Sequence, residues 1–274
     1  MKKILTLLMT LLALSVPAVR AVAQKDTLAG IRLFMRVCNA YKQLPVQLDL
    51  DIRHSANLVG RPDDTSHASA RFYLQQRGSY IEMDNMEQVV NDSLMLLVSK
   101  PARRMILYAH RQSVANQLSQ YLGLGLQDSS LARIAGKFML VSTASGGDTA
   151  SLELVSRTSL YPNMPAVEEI TVKYDPVTAR PYQVTDTRRK LVMVEKSLYK
   201  DYNDRPEWAA KTLSIGDSSF FLVKEVASVY SYRKITHDEH ADLPVRIGDR
   251  IVADDQGRYR PVKSYADYLL TQQF

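Results

Sequence analysis

The sequence predicts an α+β fold in which antiparallel strands dominate. Three observations carry this expectation. An apolar stripe with three- and four-residue steps lies near the N-terminus. A long series of short alternating segments follows, separated by turn residues, and one further helical stretch interrupts it mid-chain. The 274 residues are 46% hydrophobic and 23% charged, which excludes wholesale disorder and fibrous repeats. The length suits one large domain, or a domain with an extension. A single cysteine excludes a disulfide framework and a cysteine-rich zinc site.

The first 23 residues read as an address. Lys2 and Lys3 precede the uncharged run Ile4 to Val16, and Ala21-Val22-Ala23 offers small residues at the two positions a signal peptidase inspects. This predicts a secretory signal cut before Gln24, hence a soluble periplasmic protein with no later membrane span. No cysteine stands at the cleavage point for lipid attachment. Removing residues 1–23 removes Lys2, Lys3 and Arg20 and no acid, which takes the formal charge from +6 to +3. Export and so modest a charge argue against nucleic acid as a partner. Cys38, inside a helical pattern, reads as a buried apolar residue.

Each element follows in order. Asp26-Thr27 can cap a helix whose stripe is Leu28, Ile31, Phe34, Met35, Cys38 and Tyr41, stopping near Leu44-Pro45 because the residue before proline avoids helical geometry. Val46 to His54 is a loose strand. Residues 69–77 set Phe72 and Leu74 on one face against Arg71, Tyr73 and Gln75. Ile81 and Met83 continue an apolar face opposite Tyr80 and Glu82. Val89-Val90 and Leu94 to Val98 flank Asn91-Asp92-Ser93, and the second of these runs, apolar on both faces, is expected to be covered on both. Arg104 to Tyr108 is another strand. His110 to Leu122 reads as a helix ended by Gly123 and Gly125, and Ser129 or Ser130 can cap a short helix through Leu131, Ile134 and Ala135. Phe138 to Thr143 and Ala150 to Ser156 flank the tight turn Gly146-Gly147-Asp148. Strands at Glu168 to Tyr174, Tyr182 to Thr187 and Leu191 to Glu195 come next. Asp, Asn, Arg and Pro cluster between Tyr199 and Trp208, which suggests a boundary dividing a domain over 24–199 from a β-rich extension over 200–274. Beyond it, Ser219 to Lys224, Val226 to Ile235, Arg246 to Ala253 and Tyr259 to Val262 read as strands, and Ser264 as the cap of a final helix through Tyr265, Tyr268 and Leu269.

Two stretches carry a family resemblance. "ARFYLQQRGSYIEMDNMEQVVNDSLMLLVSKPARRMILY", residues 70–108, and "SLYPNMPAVEEITVKYDPVTARPYQVTDT", residues 159–187, together with the helix over 25–43, resemble the LolA/LolB-like lipoprotein-localisation superfamily across roughly residues 25–198. The resemblance implies a curved, incompletely closed antiparallel half-barrel wrapped around helices, with an apolar cavity for the acyl chains of lipids or lipoproteins. It implies no enzyme activity and no cofactor. Phe72, Leu74, Ile81, Met83, Leu94, Leu96, Met105, Leu107, Ile170 and Val172 are the candidate walls, although periodicity alone does not separate a cavity wall from a packed core. Arg77 stands where the resemblance implies an arginine that latches a lid, and Gly78 follows it where the family often has proline. Residues 200–274 have no counterpart in that family. Their tyrosines, Tyr230, Tyr232, Tyr259, Tyr265 and Tyr268, suit a protein-binding surface or ordinary strand preference. This leaves a non-enzymatic envelope interaction module as the alternative function.

Reactive constellations are weak. His237-Asp238-Glu239-His240 has its histidines three apart beside Asp242-Leu243-Pro244, not four apart on a helix, so a solvated loop is the expectation and no metal site is assigned. Asp148-Thr149-Ala150 has no second copy for a shared-proton pair. Gly123-Leu124-Gly125 lacks the strand-then-helix setting of a phosphate loop. Lys100, Arg103 and Arg104 suit a solvated strand end or an anionic partner.

Overall fold

Thirteen strands hydrogen-bond into one open sheet in a computed structural model that describes residues 27–39, 43–109, 131–208, 210–238 and 245–274. In chain order the first six strands are β1 (Val46–Ala56), β2 (Ser66–Gln75), β3 (Gly78–Met83), β4 (Met86–Asn91), β5 (Leu94–Ser99) and β6 (Arg104–Ala109). After the helix α2 (Leu131–Lys137) come β7 (Phe138–Gly146), β8 (Thr149–Ser156), β9 (Glu168–Tyr174) and β10 (Pro181–Val194). The helix α3 (Lys196–Asn203) leads to β11 (Thr212–Ile215), β12 (Ser219–Thr236), the small hairpin β13 (Ile251–Ala253) with β14 (Tyr259–Pro261), and β15 (Leu269–Gln273). A first helix, α1, occupies residues 27–38. The sheet order is β15-β6-β5-β4-β3-β2-β1-β12-β10-β9-β8-β7, with β11 also paired to β12. Its edges, β7 and β15, do not pair with each other.

Local chemistry explains the serial hairpins. Asn91 Oδ1 accepts from the N–H groups of Ser93 and Leu94, closing the β4–β5 turn. Asp175 Oδ1 does the same for Val177 and Thr178, and Asp254 Oδ1 for Gln256 and Arg258. Such side-chain acceptors imitate a backbone turn. Gly147 holds the β7–β8 turn with φ of +60°, a conformation a side chain disfavours.

Two strands that read as fragments are continuous. Residues 182–194 form most of the 14-residue β10, and residues 219–235 belong to the 18-residue β12. β12 lies between β1 and β10, so residues from both sides of position 200 share the middle of one sheet. The final helix expected through Tyr265 and Leu269 is instead a single 3-10 turn, Lys263–Tyr265, followed by β15. β15 pairs parallel with β6 and thereby occupies its open edge; ladder hydrogen bonds override the weak local helix preference. The strand expected over 246–253 opens as a 3-10 turn, Ile247–Asp249, before β13. The helix expected at His110 to Leu122 and its glycine stop lie outside the described residues, as do the signal segment, Glu239 and His240.

The two faces of the sheet are covered differently. On one, α1 buries Ile31, Phe34, Met35, Val37 and Cys38 in a cluster with Leu48, Phe72, Leu74, Ile81, Leu152, Leu154, Val172 and Tyr232. Each large apolar side chain so buried contributes about 1.5–3 kcal/mol before entropy is charged. Gly30 permits the close approach, because a Cβ there would lie 2.8 Å from Leu140 of β7. On the other face the chain from Val245 onward covers Tyr73, Tyr80, Val89, Leu96, Val98, Met105 and Leu107 with Ile247, Ile251, Tyr259, Tyr265 and Tyr268.

Candidate functional site

Register decides which residues can share a wall. The cross-strand row Leu48, Phe72, Ile81, Gln88, Leu97, Ile106 faces α1, whereas the adjacent row Gln47, Tyr73, Tyr80, Val89, Leu96, Leu107 faces the opposite way. A side-chain period of two makes this assignment all or none. Of the expected wall, Phe72, Leu74, Ile81 and Val172 are buried on the α1 side, with Met83 and Ile170 packed against them. Leu94, Leu96, Met105 and Leu107 are a correction: they lie on the other face, under the C-terminal segment. The physical reason is that β5 is apolar at successive positions, so either of its faces satisfies a hydrophobic pattern.

The Arg77 side chain is 85% exposed and pairs with Asp92 at 2.7 Å, joining two neighbouring turns at the surface. The C-terminal tyrosines Tyr259, Tyr265 and Tyr268 pack inward against the opposite cluster, and Tyr232 is buried on the α1 side, where burial pushes its phenol pKa up.

The α1 side opens into a cavity of about 580 Å³ lined by Arg32, Met35, Arg36, Asn39 and Leu131. Positions 32, 35, 36 and 39 make one helical stripe. Met35 belongs at once to this stripe and to the buried cluster, so the cavity floor continues into the apolar interior. Leu131 opens α2 and packs on the same cluster. Arg32 and Arg36 are exposed at the cavity and have no ion-pair partner among the described residues. Asn39 Oδ1 is buried without a hydrogen-bond donor among the described residues. The sequence carried a signal for this site that pattern reading passed over: two arginines four apart on a helix with no acid three or four positions away from either.

Farther along the α1 side lies a polar row. His54 Nδ1 and the Ser228 hydroxyl are 2.8 Å apart, and Asp186 pairs with Ser228 on the next strand. Burial raises the Asp186 pKa, opposed by Arg188 at 2.9 Å. A nucleophilic serine relay needs the histidine between serine and acid. Here the serine stands in the middle, which is not that relay. His237 bonds the Gln43 and Pro45 carbonyls through Nδ1 at 2.7 and 3.1 Å, and no group of metal-binding side chains forms among the described residues.

The C-terminal side is closed by ions. Arg250, 1% exposed, holds Glu87 through Nε at 2.8 Å and Nη2 at 2.6 Å. Lys100 reaches Glu82 at 2.7 Å and Glu87 at 2.9 Å. Hydrogen bonding from Lys100 to Glu82 raises the lysine pKa against the opposing effect of burial, and Lys100 outweighs burial to lower that of Glu82. Beside this network is a smaller cavity of about 200 Å³, lined by Asp49, Asp51, Arg71, Glu82, Asp84 and Arg233 among others.

At the end of the long β10–β12 pair the sheet projects as an arm. β9 accompanies β10 only to Arg188, and β1 accompanies β12 only from Val226. α3 caps the arm through Tyr199 against Phe220 and Tyr202 against Trp208. Met193, Phe221 and Leu213 are direct cross-strand neighbours, and Met193 and Ile215 are 67% and 45% exposed.

An open, mostly antiparallel sheet with a helix set into one face is the class of architecture this chain defines. No family model matches it, and no curated protein sequence matches it. Among solved structures it is similar to a LolA superfamily protein from Nitrosomonas europaea (12% identity, 77% of this chain and 94% of that one, TM-score 0.27). It is also similar to an uncharacterized conserved protein from Thermus thermophilus (8% identity, 88% and 98%, TM-score 0.36). A third likeness is to the MucA/MucB complex of Pseudomonas aeruginosa (11% identity, 80% and 60%, TM-score 0.36). At these TM-scores the functional reading rests on the geometry of this chain alone. No helix among the described residues is long and apolar enough to cross a membrane.

Proposed function

We propose that this is a non-enzymatic protein of the bacterial cell envelope that binds acyl chains of a lipid or lipoprotein on the α1 side of its sheet, the sheet curling about the helix. One observation carries the reading: a cavity of about 580 Å³ beside α1 has a floor, Met35 and Leu131, continuous with the apolar cluster beneath the helix. That volume is within the range of small-ligand sites, about 300–1,000 Å³. Each methylene withdrawn from water contributes about 0.8 kcal/mol, and methionine adapts to a filled or an empty wall. Phe72, Leu74, Ile81, Met83, Ile170 and Val172 are the wall residues retained in this reading. The test is titration of the full chain with monomyristoylglycerol, followed by displacement of a fluorescent fatty acyl probe, together with mass spectrometry of organic extracts. Saturable displacement and a reproducible acyl species are expected. Absence of both overturns the reading.

A second reading, an interaction module for another envelope protein, is favoured by the arm, whose tip carries exposed Met193 and Ile215 beside half-buried Leu213 and Phe221. Contiguous exposed apolar side chains mark contact surfaces. Met193→Asp with Ile215→Asp would abolish recovery of a specific partner while leaving acyl binding intact; unchanged recovery overturns it.

A further inference from the structure

We infer that the α1 cavity selects an anionic amphiphile, a phosphate-bearing lipid whose head group is held by Arg32 and Arg36; this deepens the acyl-binding reading and rests on it. The two guanidinium groups extend from positions one helical turn apart, about 6 Å at the backbone, close enough to converge on one anion. Like charges so spaced oppose helix formation. Elsewhere in the fold Arg189 meets Glu169 and Glu225, Lys100 meets Glu82 and Glu87, and Arg233 meets Asp51. Arg32 and Arg36 meet none among the described residues. They line a cavity whose remaining described lining is apolar, Met35 and Leu131, or amide, Asn39.

The two features divide the ligand's work: guanidinium groups take the phosphate in charge-assisted hydrogen bonds, and Met35 and Leu131 start the acyl chain toward the interior. A free phosphate ion satisfies only the first. A neutral monoacylglycerol lacks the first.

The experiment compares three probes on the full chain by calorimetry: myristoyl lysophosphatidylglycerol, monomyristoylglycerol and inorganic phosphate. The anionic lipid is expected to bind at least tenfold more tightly than the neutral one at low salt, with the gap narrowing as salt rises. Arg32→Gln with Arg36→Gln is expected to weaken the anionic lipid at least tenfold more than monomyristoylglycerol and so erase the gap, and Arg32→Lys with Arg36→Lys to retain part of it. The glutamine pair removes a like-charge contact, so its melting temperature should hold or rise, which a structural role for the arginines does not give. Equal binding of the two lipids by the native chain overturns the head-group assignment and leaves acyl binding standing. A gap that survives the glutamine pair overturns it as well, by placing the anion elsewhere. Phosphate bound as tightly as the anionic lipid overturns the amphiphile. Failure of both lipids removes the acyl reading itself.

Discussion

The same strands, β2 to β6, serve two apolar interiors that are finished in opposite ways. On the C-terminal side, three acids of β1, β3 and β4 are matched. Glu87 has Arg250 and Lys100, Glu82 has Lys100 and Tyr80, and Asp49 has Arg71. On the α1 side the margin carries, beside a cavity, two arginines that meet no acid among the described residues. A surface whose polar groups satisfy one another is a seal, whereas one that leaves polar groups unsatisfied next to apolar floor is arranged for something else to arrive. The contrast separates structural burial from binding within one sheet, where hydrophobicity by itself does not.

Removing the C-terminal third makes the largest difference. A chain ending at Lys200 lacks β12, and with it the ladders to β1 and β10 that join the two halves of the sheet. It should show no cooperative urea transition. A chain ending at Asp238 keeps β12 and loses the cover on the second interior together with the edge strand β15. It should unfold cooperatively at lower urea and bind a dye for exposed apolar surface. If the shorter chain folds as well as the longer, residues 200–274 are not integral and the comparison fails.

Next in size is the buried pair. Arg250→Ala leaves Glu87 beneath the C-terminal segment without its main partner, a loss of about 3–5 kcal/mol by urea unfolding. Arg250→Met with Glu87→Leu should recover most of that, since apolar groups of similar volume replace buried ions at little cost. Neither change should alter acyl binding, because both sit on the sealed face.

Truncations to alanine then sharpen the contrast residue by residue. Ile81→Ala and Leu107→Ala each empty a buried site and should cost about 2–5 kcal/mol. Only Ile81 faces α1. Displacement of the acyl probe should therefore change for Ile81→Ala and not for Leu107→Ala. Equal effects on binding would mean that the two interiors act as one.

How much of this was legible from the chain follows from where the information sits. The α1 stripe through Ile31, Phe34, Met35 and Cys38, the early hairpins and the alternation of Phe72 against Tyr73 are local patterns, and the structure keeps them, while Tyr41 lies outside the described residues. The face on which Leu96 and Leu107 lie is not local. β5 reads LMLLVS, so its pattern permits either orientation and only register against β4 chooses. The central place of β12 is likewise a pairing across more than 170 positions, Ile52 with Tyr230 for one, which composition near Tyr199 to Trp208 does not report. That composition marks α3 and the turn at Pro206–Trp208 that cap the arm. The candidate site was half legible: Met35 as a core residue, but not Arg32, Arg36 or Asn39, since charged positions on a helix are ordinarily a solvated face.

The smallest effect tests how the α1-bearing half is tethered. Lys224 of β12 bonds Asp64 in the β1–β2 connection, and the Gly60 and Arg61 N–H groups donate to the other carboxylate oxygen at 2.7 and 2.9 Å. The lysine and those two N–H groups, against slight opposing burial, lower the Asp64 pKa from its ordinary 3.8 to about 2. A carboxyl held below its unfolded value binds fewer protons when folded. Its contribution is therefore complete above pH 4 and is lost as the pH falls through 2. Asp64→Asn should lower stability at pH 5, and the deficit should close progressively toward pH 2, measured by urea unfolding at each pH. A carboxyl-carbon titration of Asp64 should give a midpoint near 2. A midpoint at the ordinary value would mean that the connection is not tied to β12, and the α1-bearing half would then be held by its apolar cluster alone.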